Sequence, residues 1–210
     1  MKNRNSSRSH FPKLIHNRQF IGLLFFIATV CIHTTTFACN GAIPGHYLNR
    51  FIDNKNGTIT DKMTNLMWQK CTLGTTWNEQ TGLCDAEINE FGYRIVDMFT
   101  WKEALARAQQ DSFSSNNDWR LPNVKEIGSI YDPACLDSSS FLAIDIAIFD
   151  SSPSRYWTST PSRKAIKLPT DSGNFVYVNS AYAMAFAHPS LGAKISSIDS
   201  KQAVRLVRSR

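Results

Sequence analysis

A cluster of basic residues in the last third of the chain carries the clearest chemistry in this sequence. Arg163, Lys164 and Lys167 lie close together, and grouped cationic side chains bind sulfate or carboxylate groups through charge-assisted hydrogen bonds. Arg155 and Arg205 belong to the same basic third and join them as candidate ligand-binding residues. Two alternatives stay open: the cluster could be a solvated, mobile loop, and an arginine such as Arg205 could cross-link strands instead.

The charge of the chain is unevenly distributed. The chain has 23 basic and 17 acidic residues; residues 39–150 carry nine basic and fifteen acidic ones, whereas residues 151–210 carry nine and two. Such asymmetry indicates a binding face for a polyanion, unless the two parts interleave in one fold and neutralise each other. The remaining five basic residues precede residue 39. The high pI therefore does not indicate nucleic-acid binding, and the sequence has no nucleic-acid motif.

Residues that could perform catalysis are scattered. His46 and His188 are isolated, and Ser159 has no identifiable base. The segment from Asp53 to Asp61 misses the EF-hand pattern, because Gly57 falls one position too early. Since nucleophilic catalysis needs an adjacent base and a metal site needs clustered ligands, we predict a noncatalytic protein without cofactor or metal ion.

The first 38 residues have the layout of a secretory signal peptide. A basic leader precedes an apolar run over residues 20–31, and small residues follow where a signal peptidase cleaves, after Ala38. An uncleaved membrane anchor is the alternative, although the run is short for a span of about 20 residues. Because Cys39 lies next to the cleavage site, lipoprotein processing is a further alternative. We expect an exported protein, periplasmic, cell-surface or secreted, with no stable membrane span after cleavage.

Four cysteines follow the leader: Cys39, Cys71, Cys84 and Cys135. An even number behind a signal peptide indicates two disulfides in an oxidising compartment. Three pairings are open. We favour Cys71–Cys84, which closes a short loop, with Cys39–Cys135 as the second bridge.

Four segments combine large aromatic residues with hydrogen-bonding groups. They are residues 61–69, 117–127, 155–160 and 204–208. Such mixtures are typical of a small domain that fixes its loops with buried side chains, and we interpret them as structural. The alternatives are that the tryptophans stack on sugar rings and that Arg120 anchors a ligand. The residues with predicted structural roles are Trp68, Trp119, Arg120, Pro122, Glu126 and Trp157.

The secondary-structure pattern predicts an α+β fold. Residues 51–61 are typical of a β-hairpin with a type I′ turn at Asn56-Gly57. Thr100 and Glu103 form a capping box for a helix over residues 101–110, and Asn123 and Glu126 repeat it for a helix ending near residue 130. Further strands are predicted at residues 155–160, 175–179, 182–186 and 203–208. Strands at both ends with two helices between them predict terminal strands that pair in one antiparallel sheet.

These motifs resemble the Lcl C-terminal domain family, named for the domain that ends the Legionella collagen-like adhesin. The most specific match is Trp119-Arg120-Leu121-Pro122, and the resemblance covers essentially residues 50–208. The other matching segments, in the family's order, are residues 56–69, 101–105, 156–159 and 204–208. Two positions depart from the family's pattern: many relatives have Gly where this chain has Asn65, and many have Cys at the position of Leu206, which weakens any borrowed disulfide assignment.

The resemblance implies a C-type-lectin-like domain in a secreted or envelope-associated protein. It also implies, more weakly, the glycosaminoglycan binding and adhesion of the founding adhesin. We divide the chain into a signal peptide at 1–38, a lead-in at 39–49 and the domain at 50–210. The predicted function is noncatalytic recognition of an anionic, sulfated polysaccharide. A structural or protein-interaction module of a cell-surface assembly is the alternative.

Overall fold

The computed structural model describes residues 50–136, 141–150, 153, 155–167 and 175–210, with Lys167 described by its backbone alone. The strands are β1 (Phe51–Asp53), β2 (Thr58–Asp61), β3 (Leu66–Gln69), β4 (Thr76–Asn78), β5 (Leu83–Asp85), β6 (Arg155–Lys167), β7 (Phe175–Ala185), β8 (Gly192–Ser197) and β9 (Val207–Ser209). The helices are α1 (Trp101–Gln109), α2 (Val124–Gly128) and α3 (Ile146–Phe149). The predicted α+β class is confirmed, with α3 as an additional short helix. No helix in the described ranges is long and apolar enough to span a membrane.

The first sheet joins the two ends of the domain. Its strand order is β1-β2-β3-β9, and all neighbours are antiparallel. Trp68 in β3 lies opposite Val207 in β9, and both are fully buried. The prediction that the terminal strands pair in one sheet is confirmed.

The first hairpin forms where predicted, but its turn is of another kind. Positive φ occurs at Lys55 and Gly57, whereas a type I′ turn would place it at Asn56 and Gly57. The side chains explain the longer loop: Asp53 accepts the backbone N–H of Lys55, and Asn56 accepts that of Thr58. These local bonds compete with the tight two-residue turn.

Both predicted capping boxes are present. The Thr100 hydroxyl accepts the N–H of Glu103 at the start of α1, and Asn123 accepts the N–H groups of Lys125 and Glu126 at the start of α2. The second helix ends at Gly128, two residues before its predicted end. The chain that follows makes hydrogen bonds of the tighter i→i+3 type; for example, the Ile130 N–H donates to the Ile127 carbonyl.

Strands β4 and β5 form a small two-stranded sheet, and the larger second sheet has the order β6-β7-β8. The alternative that the basic cluster at Arg163 forms a loop is excluded, because β6 continues through Lys167. A register shift between Trp157 and Pro161 carries the strand past the proline, since a bulge tolerates a residue without an N–H. The two strands predicted at residues 175–179 and 182–186 are one strand, β7. The last predicted strand is shorter than expected, because Ala203 makes only an isolated bridge to Tyr156.

Two apolar clusters form the core. One gathers Trp68, Ile127 and Phe149 with other buried residues of the first sheet and of the short helices. The other gathers Trp119, Trp157 and Leu206, with α1 packed against it through Ala104 and Ala108. Because each cluster joins residues from both ends of the domain, the core holds the base of the second sheet in place.

Candidate functional site

Strands β6 and β7 extend beyond β8 as a two-stranded ribbon. The pairing of β8 with β7 covers Ser180 to Ala185, while the pairing of β6 with β7 continues to Lys167 opposite Phe175. We call residues 162–167 together with residues 175–179 the ribbon. Its side chains are largely exposed, including Phe175 at 57% and Tyr177 at 67%, so it presents both faces to its surroundings.

Strand register assigns the ribbon residues to two faces, because directly opposite residues project from the same side of a sheet. Arg163 lies opposite Asn179, and Ala165 lies opposite Tyr177; the backbone position of Lys167 is opposite Phe175. We call this the first face, and it combines cationic positions with two aromatic rings. The second face has Lys164 opposite Val178 and Ile166 opposite Val176.

The cations of the ribbon are not neutralised by the acidic part of the chain. Arg163 and Lys164 are exposed, and neither forms an ion pair with any carboxylate that the structure describes. The acidic part pairs mainly with its own basic residues. These ion pairs are Arg50–Asp61, Lys55–Asp53, Lys70–Asp53, Arg94–Asp150, Arg107–Asp111 and Arg120–Glu126.

Only one described ion pair links the basic third to the acidic part: Arg208 donates to Asp118 at 2.6 Å. Arg208 lies in β9, in the first sheet and not in the ribbon. The acidic part of the chain therefore does not neutralise the positive charge of the ribbon.

Arg205 lies apart from the ribbon cations, in the core. Its side chain is 1% exposed and donates to the backbone carbonyl oxygens of Gln69, Lys70 and Phe149. It also donates to the hydroxyl of Thr72 at 3.1 Å. Burial excludes Arg205 from contact with a dissolved polymer, so it does not belong with the ligand-binding residues predicted from the sequence.

Arg155 lies at the start of β6, at the opposite end of the strand from the ribbon cluster. It is half-buried and faces Ala185 in register. The structure therefore brings Arg163 and Lys164 together on the ribbon, with Lys167 near them along the strand, and separates Arg155 from them.

Arg120 and Glu126 form a bidentate ion pair, with both nitrogen–oxygen distances at 2.8 Å. Burial acts to raise the pKa of Glu126, but hydrogen bonds from Arg120 and from the Asn123 N–H outweigh it, so the pKa lies below its ordinary value. The backbone of Arg120 also exchanges two hydrogen bonds with Val207. Arg120 thus connects the start of α2 to β9.

The three motif tryptophans and Pro122 are buried. The indole of Trp157 donates to the Phe99 carbonyl at 2.7 Å, and that of Trp119 donates to the Phe113 carbonyl at 2.8 Å. Trp68 makes an edge-to-face contact with Phe149. Because all three indoles are 2% exposed or less, they present no face to a sugar ring in solution.

The predicted Cys71–Cys84 disulfide is present and buried. Cys135 is also buried, and its predicted partner Cys39 lies outside the described residues, as does the predicted signal peptide. A structural disulfide indicates an extracytoplasmic location.

A surface pocket of about 400 Å³ lies at the base of the ribbon. It is lined by Trp101 at the start of α1, by Ile198 after β8, and by residues 161–163 and 179–180. Neither Trp101 nor Asn179 was a candidate site residue from the sequence. Only the pairing of β6 with β7 places Asn179 beside Arg163. Within the described ranges, no group of three or more His, Cys, Asp or Glu residues could hold a metal ion.

The fold and site define a disulfide-containing α+β domain with a projecting cationic ribbon. Residues 57–208 match the Lcl C-terminal domain, and the chain belongs to this family. The family is not known as catalytic. A search of curated proteins finds no match for the chain.

Proposed function

We propose that this protein is an exported, noncatalytic binding domain that recognises an anionic polysaccharide through the ribbon. In this proposal residues 1–38 are the signal peptide, residues 39–49 are a lead-in, and residues 50–210 form the binding domain. The ligand is a sulfated or carboxylated polymer of the glycosaminoglycan type, and the activity is adhesion.

The observation that carries the proposal is the pair of exposed cations on a projecting strand. Arg163 and Lys164 lie on opposite faces of a ribbon only two strands wide, so a polymer that crosses the ribbon can reach both. Neither has a described carboxylate partner that a ligand would have to displace. Exposed charges are screened over about 8 Å at physiological salt, so binding through them must weaken as salt rises.

The test is retention on immobilised heparin as a function of NaCl concentration. Arg163→Glu/Lys164→Glu should weaken binding about tenfold or more, because each lost ion pair at an exposed site contributes up to about 1 kcal/mol and the new carboxylates repel the polyanion. Lys62→Glu/Lys125→Glu is the matched control. It changes the net charge equally at two exposed positions without described ion pairs, and it should retain most of the affinity. If both variants lost the same affinity for heparin, the effect would come from net charge alone, and a binding site on the ribbon would be contradicted.

A protein-interaction role in a cell-surface assembly is the second candidate, and an exposed apolar pair on the second face of the ribbon favours it. Ile166 and Val176 lie opposite each other and are each 44% exposed. Ile166→Thr/Val176→Thr keeps the β-branched shape that suits a strand while adding hydroxyls. If this variant abolished binding to an envelope protein while charge reversal of Arg163 and Lys164 had no effect, the second candidate would replace the first.

A further inference from the structure

The pocket at the base of the ribbon has an aromatic wall whose position is fixed. The Trp101 indole N–H donates to the Thr158 carbonyl at 2.7 Å, and the Trp101 backbone N–H donates to the Ile198 carbonyl at 3.0 Å. Indole has a single donor, and that donor is already used. The ring can therefore offer a ligand only its carbon surface.

Two polar side chains on the first face are available for a ligand at the pocket. The Arg163 guanidinium and the Asn179 amide make no hydrogen bond with any group that the structure describes. Together they supply a fixed cationic fork and an amide that both donates and accepts. Ligand pockets typically combine an apolar wall with a few such convergent polar groups.

This combination fits the chemistry of an acidic sugar. A pyranose ring has a face of C–H groups, which suits the electron-rich face of an indole, and hydroxyls around its edge, which suit an amide. A carboxylate or sulfate substituent suits a guanidinium, which binds it in a bidentate manner. A purely apolar ligand would leave Arg163 and Asn179 without partners.

The pocket is continuous with the first face of the ribbon. Arg163 and Asn179 form one cross-strand pair, and Ala165 with Tyr177 forms the next pair on the same face, about 7 Å further along the strands. When one sugar unit occupies the pocket, the exposed ring of Tyr177 is therefore within reach of the next unit of the polysaccharide.

We propose that this pocket binds one acidic sugar unit of the polysaccharide, with its ring on Trp101 and its carboxylate or sulfate at Arg163. The proposal rests on the proposed function and adds to it a defined subsite. Asn179 bonds the hydroxyls of the same unit, and Tyr177 contacts the neighbouring unit.

The experiment follows the indole ¹H–¹⁵N resonances of the mature protein during titration with a heparin tetrasaccharide. Trp101 should shift in a saturable manner, whereas the buried Trp68, Trp119 and Trp157 should not. Trp101→Phe assigns the resonance and should weaken binding about three- to tenfold, given the strength of aromatic contacts. The unchanged positions of the other indoles verify that this variant is folded.

A second variant tests the polar side of the pocket. Asn179→Asp keeps the shape of the side chain and places a carboxylate beside Arg163, which should compete with the acidic group of the sugar and weaken binding about tenfold. Asn117→Asp makes the same charge change at an exposed position outside the pocket lining and should have little effect.

The outcomes separate this inference from the proposed function. Salt-dependent binding of the tetrasaccharide that leaves the Trp101 indole unmoved would overturn the subsite and leave the ribbon function standing. No binding at any salt concentration would overturn both. An equal Trp101 shift with an uncharged oligosaccharide of the same length would contradict the role given to Arg163.

Discussion

Arg163 and Arg205 show how burial decides what an arginine does. Both lie in the basic third of the chain, and both were candidate ligand-binding residues. Arg163 is exposed and has no described partner, whereas Arg205 donates to three backbone carbonyls in the core. A guanidinium has five donors in a planar arrangement, which suits it equally to a sulfate group or to converging carbonyls.

Replacement of Arg205 should therefore act on stability. Arg205→Met leaves buried carbonyls of Gln69, Lys70 and Phe149 without their donors, and we expect a loss of about 3–5 kcal/mol in the free energy of unfolding. Urea unfolding monitored by circular dichroism measures this loss. Arg163→Met is the matched control and should change stability by less than about 0.5 kcal/mol. A stable, fully folded Arg205→Met protein would contradict the structural role.

The ion pair of Arg120 with Glu126 predicts a pH dependence of stability. The pKa of Glu126 is lowered in the folded state from its ordinary value of 4.5. Its contribution is therefore present above about pH 4.5 and is lost as the pH falls through the lower, folded-state pKa. Because Arg120 is 41% exposed, solvent screening limits this contribution to about 1 kcal/mol.

Glu126→Gln tests this linkage. The variant should lose less stability than the wild-type protein between pH 6 and pH 3, because Gln does not titrate. Thermal unfolding across this range measures the difference. If the two proteins lost equal stability over that interval, Glu126 would not be the titrating group.

At the scale of the element, local sequence determines where helices begin, while pairing determines how far strands run. Thr100 and Asn123 accept N–H groups within the next three residues, so the information for each cap is local. Strand β6 continues past Pro161 because β7 supplies a partner as far as Lys167. That partner lies on the next strand and not within the segment, so the local pattern left a loop open as an alternative.

The Cys71–Cys84 disulfide also acts at the scale of the element, because it closes the segment that contains β4. The cysteines are 13 residues apart, and in the chain-entropy model a loop of this size contributes about 3 kcal/mol. Cys71→Ser/Cys84→Ser should lower the free energy of unfolding by about that amount in guanidinium denaturation. A loss below about 1 kcal/mol would show that the bridge does not restrain the unfolded chain.

At the scale of the whole molecule, β9 is the element on which the two ends of the domain depend. It pairs with β3 along one edge, and at its other edge Val207 exchanges backbone hydrogen bonds with Arg120. Just before it, Leu206 and Val204 accept the N–H groups of Gln69 and Leu73. This short segment therefore connects the first sheet to the segment that leads into α2.

Deletion of residues 207–210 should therefore affect the entire domain. We expect loss of the near-ultraviolet circular dichroism signal and of cooperative thermal unfolding, because the buried Trp68 would lose its strand neighbour. Deletion of Arg210 alone is the control and should leave both signals in place. Retention of cooperative unfolding without β9 would contradict this dependence.

The amino-acid sequence by itself determined the family, the α+β class and both capping boxes, and it favoured the Cys71–Cys84 pairing that the structure contains. These features depend on residues near one another in the chain or on the order of motifs along it. Only the tertiary structure decided which cations are exposed and which residues share the ribbon face with them. The burial of Arg205 and the placement of Asn179 and Trp101 beside Arg163 arise from contacts between segments far apart in sequence, and no local pattern of residue types encodes those contacts.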